Sequence, residues 1–184
     1  MRRLLRLISA VLVVAGLAAA GWAAWLQQTG NLHAVLSGQV YRSAQPSDKQ
    51  LSEWTAEYGF RSVLNLRGKS RADWYRTERD TAARLNLQHA DFAMRDNEVL
   101  TPERAAELIA LLNALPKPLL IHCKAGADRT GLAAALYLAS QGLGETPAEA
   151  QISFRYGHVS LPLSAAWPMN QSWEAMKSSF GYDT

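Results

Sequence analysis

The stretch 118–140 constrains the fold more than any other part of the chain, because it joins a strand pattern directly to a helix pattern. Residues 118–121 form a short apolar run, which is typical of a buried strand. The alanine- and leucine-rich run 132–140 is typical of a helix. A polar loop between them contains Cys123, with Arg129 six positions later. This junction predicts a loop that ends at the first turn of a helix, as in α/β proteins.

The remainder of the chain repeats this alternation. Strands are predicted at 39–43, 60–66 and 87–94, and helices at 48–58, 73–85, 101–115, 145–156 and 170–180. Strands separated by helices favour parallel pairing, with the helices covering the sheet. We therefore predict an α/β fold with a central, mostly parallel sheet of four to five strands, flanked by helices.

Two helices carry clear boundary signals. Thr101 is a good N-cap residue, and Pro102 suits the first helical position, where no backbone N–H is needed. Ser47 or Asp48 is expected to cap the helix that runs to residue 58. Gly59 is expected to end that helix in a left-handed conformation.

Residues 1–26 differ from the rest of the chain. Three arginines, at positions 2, 3 and 6, precede the run 7–25, which contains no charged residue. Nineteen residues at helical rise span about 30 Å, enough to cross the core of a bilayer. We expect the arginines to stay in the cytoplasm, which places everything after this run on the outer side.

Two interpretations of this segment stay open. Residues 18–20 are alanines and suit a signal-peptidase site, which predicts a cleaved signal peptide. The apolar run continues through 21–25, however, and Trp22 and Trp25 stand where an aromatic belt lies at a membrane surface. These features favour a retained transmembrane helix. Both interpretations export the domain that follows.

Charge and composition exclude several other classes. The formal charge of +3 is carried by the three N-terminal arginines, because the remaining 16 basic residues equal the 16 acidic ones. The charge therefore gives no reason to expect a nucleic-acid partner. A single cysteine excludes an intramolecular disulfide and a multi-cysteine metal site. The four histidines, at 33, 89, 122 and 158, lack the spacing of zinc ligands. No metal or cofactor is expected.

The loop after the predicted central strand is suited to binding phosphate. Backbone N–H groups and the positive end of a helix together favour a phosphate-sized anion. Gly126 allows a close backbone approach, and Arg129 supplies a planar fork for two phosphate oxygens. The predicted phosphate-binding residues are Lys124, Ala125, Gly126, Ala127, Asp128 and Arg129.

The same environment favours the thiolate of Cys123, which would lie below a bound phosphate for in-line attack. Thr130 is expected to donate a hydrogen bond to the sulfur when it leaves. His122 is expected to orient the loop through its ring N–H. A buried, inert cysteine would not explain Gly126 and Arg129 at these positions.

The nonapeptide Cys-Lys-Ala-Gly-Ala-Asp-Arg-Thr-Gly at 123–131 resembles the CX5R(S/T)G signature of the cysteine-dependent phosphatases. The chain is similar to the compact bacterial dual-specificity-type tyrosine phosphatases over about residues 40–180. Segments 41–46, 63–67 and 155–158 support the resemblance. It implies a covalent phosphocysteine at Cys123, phosphate held by Arg129, and no metal.

This resemblance completes the expected domain organisation. Residues 1–26 form the anchor or signal segment, 27–38 a linker and 39–184 the phosphatase domain. The predicted location is the bacterial inner membrane, with the catalytic domain on the periplasmic side. A cleaved N-terminus would instead release the domain into the periplasm.

The family also requires a general acid, usually on a mobile loop about 25 to 35 residues before the cysteine. Asp96 lies 27 residues before Cys123, in a predicted loop, whereas Asp91 lies 32 before it, within a predicted strand. Asp96 is preferred because a loop carboxylate can move over the site. Asp128 is a third candidate, since relatives that act on phosphoinositides carry an acid at this position.

The substrate stays open. Phosphotyrosine proteins are preferred, with phosphoserine and phosphothreonine as further substrates. Lys124 and Asp128 resemble the corresponding residues of lipid-directed members of the family, which favours a phospholipid headgroup or an inositol phosphate instead. The basic loop 67–71 is either a docking site for the substrate or a solvated surface loop. A domain that binds phosphorylated ligands without catalysis is the alternative from another class.

Overall fold

The computed structural model describes residues 2–182 of the chain. In chain order the helices and strands are α1 (Arg2–Gln28), β1 (His33–Leu36), β2 (Val40–Ser43), α2 (Asp48–Tyr58), β3 (Ser62–Asn65), α3 (Asp73–Arg84), β4 (Gln88–Asp91), α4 (Pro102–Ala114), β5 (Leu119–His122), α5 (Asp128–Ser140), α6 (Glu145–Glu149) and α7 (Trp167–Lys177). Short 3₁₀ helices cover Phe154–Tyr156 and Ser178–Phe180. Met1, Asp183 and Thr184, at the outer ends of the predicted segments, lie outside the described residues.

The five strands form one sheet in the order β1-β2-β5-β3-β4. Strands β2, β5, β3 and β4 are parallel, and β1 pairs with β2 in the antiparallel sense. Ser43 and Asn65 flank His122 on either side of the central strand. The loops after β2, β3 and β5 therefore meet at one edge of the sheet. The predicted α/β class and mostly parallel sheet are confirmed.

Local capping chemistry produces the predicted helix boundaries. The Ser47 side chain accepts a hydrogen bond from the backbone N–H of Gln50, and the Gln50 side-chain oxygen accepts one from the backbone N–H of Ser47. Gly59 ends α2 with φ of 68°, a conformation that costs glycine little. The Thr101 side chain caps α4, and Pro102 begins it.

The predicted helix at 145–156 is wrong in its length. Helix α6 ends at Glu149, and only residues 154–156 turn again, as a 3₁₀ helix. The cause lies in Arg42 on β2, whose Nη1 is 2.7 Å from the carbonyl oxygen of Gln151. This carbonyl is directed to a buried guanidinium, so it is not available to a continued helix.

Two further elements differ from expectation. Residues 33–36 form β1, inside the stretch 27–38 that the sequence assigns to a linker. Helix α7 begins at Trp167, three residues before the predicted start, with Pro168 in its first turn. Proline is tolerated there because the first N–H groups of a helix have no intrahelical partner.

Helix α1 is long and apolar enough to cross a membrane, a property that a signal sequence shares. Its apolar side chains are exposed over most of its length. Only its end contacts the domain. Leu26 is buried, and the Trp22 indole, stacked on Trp25, donates a hydrogen bond of 3.3 Å to the carbonyl oxygen of Phe154.

Candidate functional site

Cys123 follows β5 directly and is buried at the edge of the sheet where the parallel strands end. The loop 123–127 leads into α5, whose first residue is Asp128. The Leu66 backbone N–H donates to the carbonyl oxygen of His122 at 2.9 Å. The hydrogen bonding between β3 and β5 therefore continues one residue past β3, as far as the residue before Cys123.

Gly126 is required by the close packing of this loop on β2. Its φ is 73°, and a Cβ at this position would lie 2.6 Å from the backbone of Ser43 and Ala44. Backbone atoms cannot move aside as a flexible side chain can. Any other residue would push the loop away from the sheet.

Every carbonyl of the loop between Lys124 and Ala127 is bound by a donor from elsewhere in the domain. The Gln45 N–H donates to Lys124 at 3.1 Å, and the Asn31 amide to Ala125 at 3.0 Å. Arg42 Nη2 donates to the carbonyl oxygens of Gly126 and Ala127, at 2.8 and 3.2 Å. In a trans peptide the N–H points opposite to the C=O. The N–H groups of residues 125–128 therefore point away from these donors, to the inside of the loop.

Arg42 is the support beneath the loop. Its side chain is fully buried, with the guanidinium 3.8 Å from the centre of the Tyr156 ring. Burial lowers the pKa of Arg42 to about 10, against the effects of Tyr156, Cys123 and Asp128. The group thus keeps its charge at neutral pH and adds a positive field under the loop.

Arg129, in the first turn of α5, lies beside Asp96. Its Nη2 is 3.2 Å from Asp96 Oδ2, and its Nε is buried without a hydrogen-bond partner among residues 2–182. The Asp96 side chain is 43% exposed, in the loop between β4 and α4. The guanidinium is therefore held by one exposed carboxylate, and part of its donor capacity is free for an anion.

Arg67, from the loop after β3, adds a second positive charge. Its guanidinium stacks 3.5 Å from the Trp74 ring centre, and Nη1 donates to Gln45 Oε1 at 2.9 Å. Burial, followed by the positive charge of Arg129, lowers the pKa of Arg67. The two cations therefore lie close enough to interact, and such a concentration of positive charge favours an anion.

The two other candidate acids are held by strong partners. Asp91 Oδ1 accepts from Asn65 Nδ2 at 2.8 Å, and Oδ2 from the Tyr75 hydroxyl at 2.6 Å. Asp128 Oδ1 is 2.8 Å from Nδ1 of the buried His158. Among residues 2–182, the Asp96 carboxylate contacts only the guanidinium of Arg129 in this way. Of the three carboxylates, Asp96 is the most able to move to a substrate.

A buried acid supports the loop from behind. Glu78 Oε2 is 3.1 Å from His122 Nε2, and Oε1 is 2.7 Å from His89 Nε2; Gln45 also donates to Oε2. Burial alone would raise the pKa of Glu78, but the charge of His122 and these hydrogen bonds lower it to about 2. His122 Nδ1 lies 3.2 Å from the Cys123 carbonyl oxygen. These contacts through Glu78 and His122 thus link helix α3 to the loop 123–127.

This pairing predicts a specific loss of stability in acid. A carboxyl whose pKa is lower in the folded state stabilises it above the unfolded pKa, and the effect disappears as pH falls to the folded pKa. For Glu78 that window runs from 4.5 down to about 2. Urea unfolding of the full chain in detergent should show Glu78→Gln less stable than the native chain above this window. The difference should shrink within it; a constant difference from about pH 5.5 to pH 3 would be inconsistent with the pairing.

Three supporting residues were missed by reasoning from the sequence: Asn31, Arg42 and Glu78. Only Arg42 has a signal in the sequence, as a charged residue within a predicted strand, 39–43. The structure buries all four positions of β2. Thr130, by contrast, was expected near the sulfur. Its Oγ1 is buried and has no hydrogen-bond partner in the part of the chain described. That region also brings together no group of three or more histidine, cysteine or acidic side chains suited to a metal.

The fold, with its strand–loop–helix junction at Cys123, defines a member of the cysteine-dependent phosphatase superfamily. A family profile described as "DSP-PTPase phosphatase fused to NAD+ Kinase" matches residues 19–157, and the chain belongs to this family. No curated protein matches the chain.

Solved structures share the fold at low sequence identity. TpbA of P. aeruginosa is 19% identical, with 84% of this chain and 93% of that chain covered and a TM-score of 0.62. The catalytic core of the PP-IP phosphatase SIW14 of S. cerevisiae, in complex with citrate, is 18% identical, with 82% and 91% covered and a TM-score of 0.62. PTPMT1 is 14% identical, with 83% and 99% covered and a TM-score of 0.59. At this identity the likeness is one of fold.

Proposed function

We propose that the chain hydrolyses phosphate monoesters through a phosphocysteine at Cys123, with phosphotyrosine proteins as its main substrates and phosphoserine and phosphothreonine as further ones. The observation that carries the proposal is the binding of the four carbonyls of residues 124–127 by donors from elsewhere in the domain. It leaves a ring of N–H groups around the sulfur for the oxygens of a phosphate. A bound TpbA–phosphotyrosine complex among the structural neighbours adds support.

In the first step the Cys123 thiolate attacks phosphorus, and the bond from phosphorus to the ester oxygen breaks. Asp96 donates its proton to that oxygen, while Arg129 holds two of the remaining phosphate oxygens. In the second step Asp96 takes a proton from water, which attacks phosphorus and breaks the S–P bond. Thr130 donates to the departing sulfur. Phosphate is released, and the thiolate and protonated Asp96 are restored.

Asp96 and Asp91 provide a matched test of the acid. We expect Asp96→Asn to lower kcat by about 10²–10⁴-fold for alkyl or phenyl phosphates, whose leaving oxygen needs a proton. The loss should be smaller for para-nitrophenyl phosphate, whose leaving group departs as an anion. Steady-state kinetics across leaving groups measure this dependence. In Asp91→Asn the dependence of kcat on the leaving group should match that of the native chain. If Asp91→Asn loses activity mainly with alkyl and phenyl phosphates, and Asp96→Asn does not, Asp91 is the acid.

A phospholipid headgroup or an inositol phosphate is the second candidate substrate. A cleft of about 480 Å³ beside the Asp96 loop is lined by Arg67, Arg95 and Arg104, with Glu98 the one acid among its lining residues. Such a surface suits a ligand with more than one phosphate group. The neighbour SIW14 is a PP-IP phosphatase, which is consistent with this candidate.

A phosphate-release panel separates these candidates. Phosphotyrosine and phosphoserine peptides, inositol phosphates and short-chain phospholipids should be compared at equal phosphate concentration. The proposal expects the highest kcat/KM with phosphotyrosine peptides. A higher value with lipids or inositol phosphates would favour the second candidate. Binding of phosphopeptide without turnover would indicate a domain that only binds phosphorylated ligands.

We propose further that residues 1–26 are a retained anchor, which holds the phosphatase domain, 39–184, on the periplasmic face of the inner membrane. The exposed apolar surface of α1 and the arginines at the start of the chain support this orientation. Protease added to spheroplasts should digest the domain. Protection in intact spheroplasts, with digestion after lysis, would reverse the orientation.

A further inference from the structure

The segment 154–163 exposes an unusual amount of apolar surface. Phe154 is 54% exposed, Leu161 60% and Leu163 100%, and Val159 is also exposed. Between residues 150 and 173 the sequence contains no acidic residue, and Arg155 is the only lysine or arginine. We call the exposed side chains of Phe154, Val159, Leu161 and Leu163 the apolar patch.

Phe154, the first residue of the apolar patch, lies beside the end of α1. The Trp22 indole donates to the Phe154 carbonyl oxygen at 3.3 Å, and Leu26 approaches Gly157 from the same side. From Leu4 to Trp22 the helix rises about 27 Å, close to the thickness of a bilayer core. A bilayer around α1 therefore ends near Trp22. Phe154 lies at the same height as Trp22. Aromatic side chains favour this boundary between lipid and water.

We propose that the apolar patch inserts into the outer surface of the same bilayer that α1 crosses, so that the domain rests on the membrane at two places. Water leaves the apolar side chains, and Arg155 remains at the level of the lipid phosphates, where a cation is favoured. The inference goes beyond the proposed reaction and rests only on the retained anchor.

This placement fixes the active site relative to the membrane. Asn31, three residues after α1, donates to the carbonyl oxygens of both Ala125 in the loop and Tyr156 beside the patch. His158, within the patch segment, is 2.8 Å from Asp128, next to Arg129. Asn31, just after the anchor, and His158, in the segment that carries the apolar patch, thus connect both regions to the phosphate loop. The proposed membrane contact therefore places this loop near the lipid surface.

The test uses the full chain, with Cys123→Ser, in vesicles that contain phosphatidylcholine and phosphatidylglycerol. Cysteine is introduced as Leu163→Cys or, for control, Leu143→Cys, and labelled with an environment-sensitive fluorophore. Leu143 is also an exposed leucine, but it follows the far end of α5, about 20 Å from the phosphate loop. Lipids that carry a nitroxide on the acyl chain then quench labels that enter the bilayer. Flotation with the vesicles measures the anchoring separately. Turnover by the chain that retains Cys123 measures the reaction.

We expect the label at 163 to be quenched several-fold more than the label at 143. If both labels are quenched equally and weakly in chains that float with vesicles, the apolar patch is not a membrane contact. This conclusion holds whether the label at 163 stays in water or is covered by a second copy of the chain. Failure to float overturns the anchor and the patch together. Neither result alters the conclusion about Cys123, which depends on turnover alone.

Discussion

Replacing Cys123 with serine is expected to lower phosphate release by about 10⁴-fold or more, because a neutral hydroxyl is a far weaker nucleophile than a thiolate. The ring of N–H groups and Arg129 do not depend on the sulfur. Binding of inorganic phosphate should therefore persist in Cys123→Ser. Phosphate release and isothermal titration on the same preparation measure the two effects.

Ser43→Ala is the matched control for this substitution. Ser43 is buried at the foot of the same loop, and its Oγ donates only locally, to the Ala44 carbonyl oxygen at 2.8 Å. Its loss should leave turnover within a few-fold of the native chain. Turnover by Cys123→Ser at the rate of Ser43→Ala would exclude Cys123 as the nucleophile.

The second large effect is expected at Arg129. Lysine retains the charge but lacks the planar fork that holds two oxygens, so Arg129→Lys should lower kcat/KM by about a hundredfold or more. Most of the loss should appear in kcat, because in the proposed mechanism the arginine stabilises the phosphoryl group as it transfers. Steady-state kinetics with para-nitrophenyl phosphate separate kcat from KM.

Arg84→Lys controls for the general effect of replacing, by lysine, an arginine that pairs with a carboxylate. Arg84 pairs with Asp48 on the exposed side of α3 and α2, so its replacement should change kcat/KM very little. If Arg129→Lys behaves like Arg84→Lys, the guanidinium does not hold the transferring phosphate.

The parts of the fold that could be predicted depend on local chemistry. Thr101 and Pro102 begin a helix because of the N–H groups within one turn, and Gly59 ends one by its own conformation. The loop 123–129 was predictable for the same reason, since its cysteine, glycine and arginine are neighbours in the sequence. Local spacing also distinguished a strand carboxylate, Asp91, from a loop carboxylate, Asp96.

The parts that could not be predicted depend on contacts between distant residues. Helix α6 is short because Arg42, 109 positions away, binds the carbonyl of Gln151. Strand β1 exists because residues after α1 find an open edge at β2. The support of the loop by Asn31 and Glu78 likewise has no local signature, because each acts on atoms that only the folded sheet brings near.

The most direct test of the central claim is to trap the covalent intermediate. The chain should be mixed with para-nitrophenyl phosphate, quenched in acid within the first turnover, digested and analysed by mass spectrometry. Asp96→Asn should accumulate more adduct if hydrolysis of the intermediate is slowed more than its formation. We predict one phosphoryl group on the peptide that contains Cys123, absent in Cys123→Ser. Full turnover without any such adduct, or an adduct that persists in Cys123→Ser, would contradict the account.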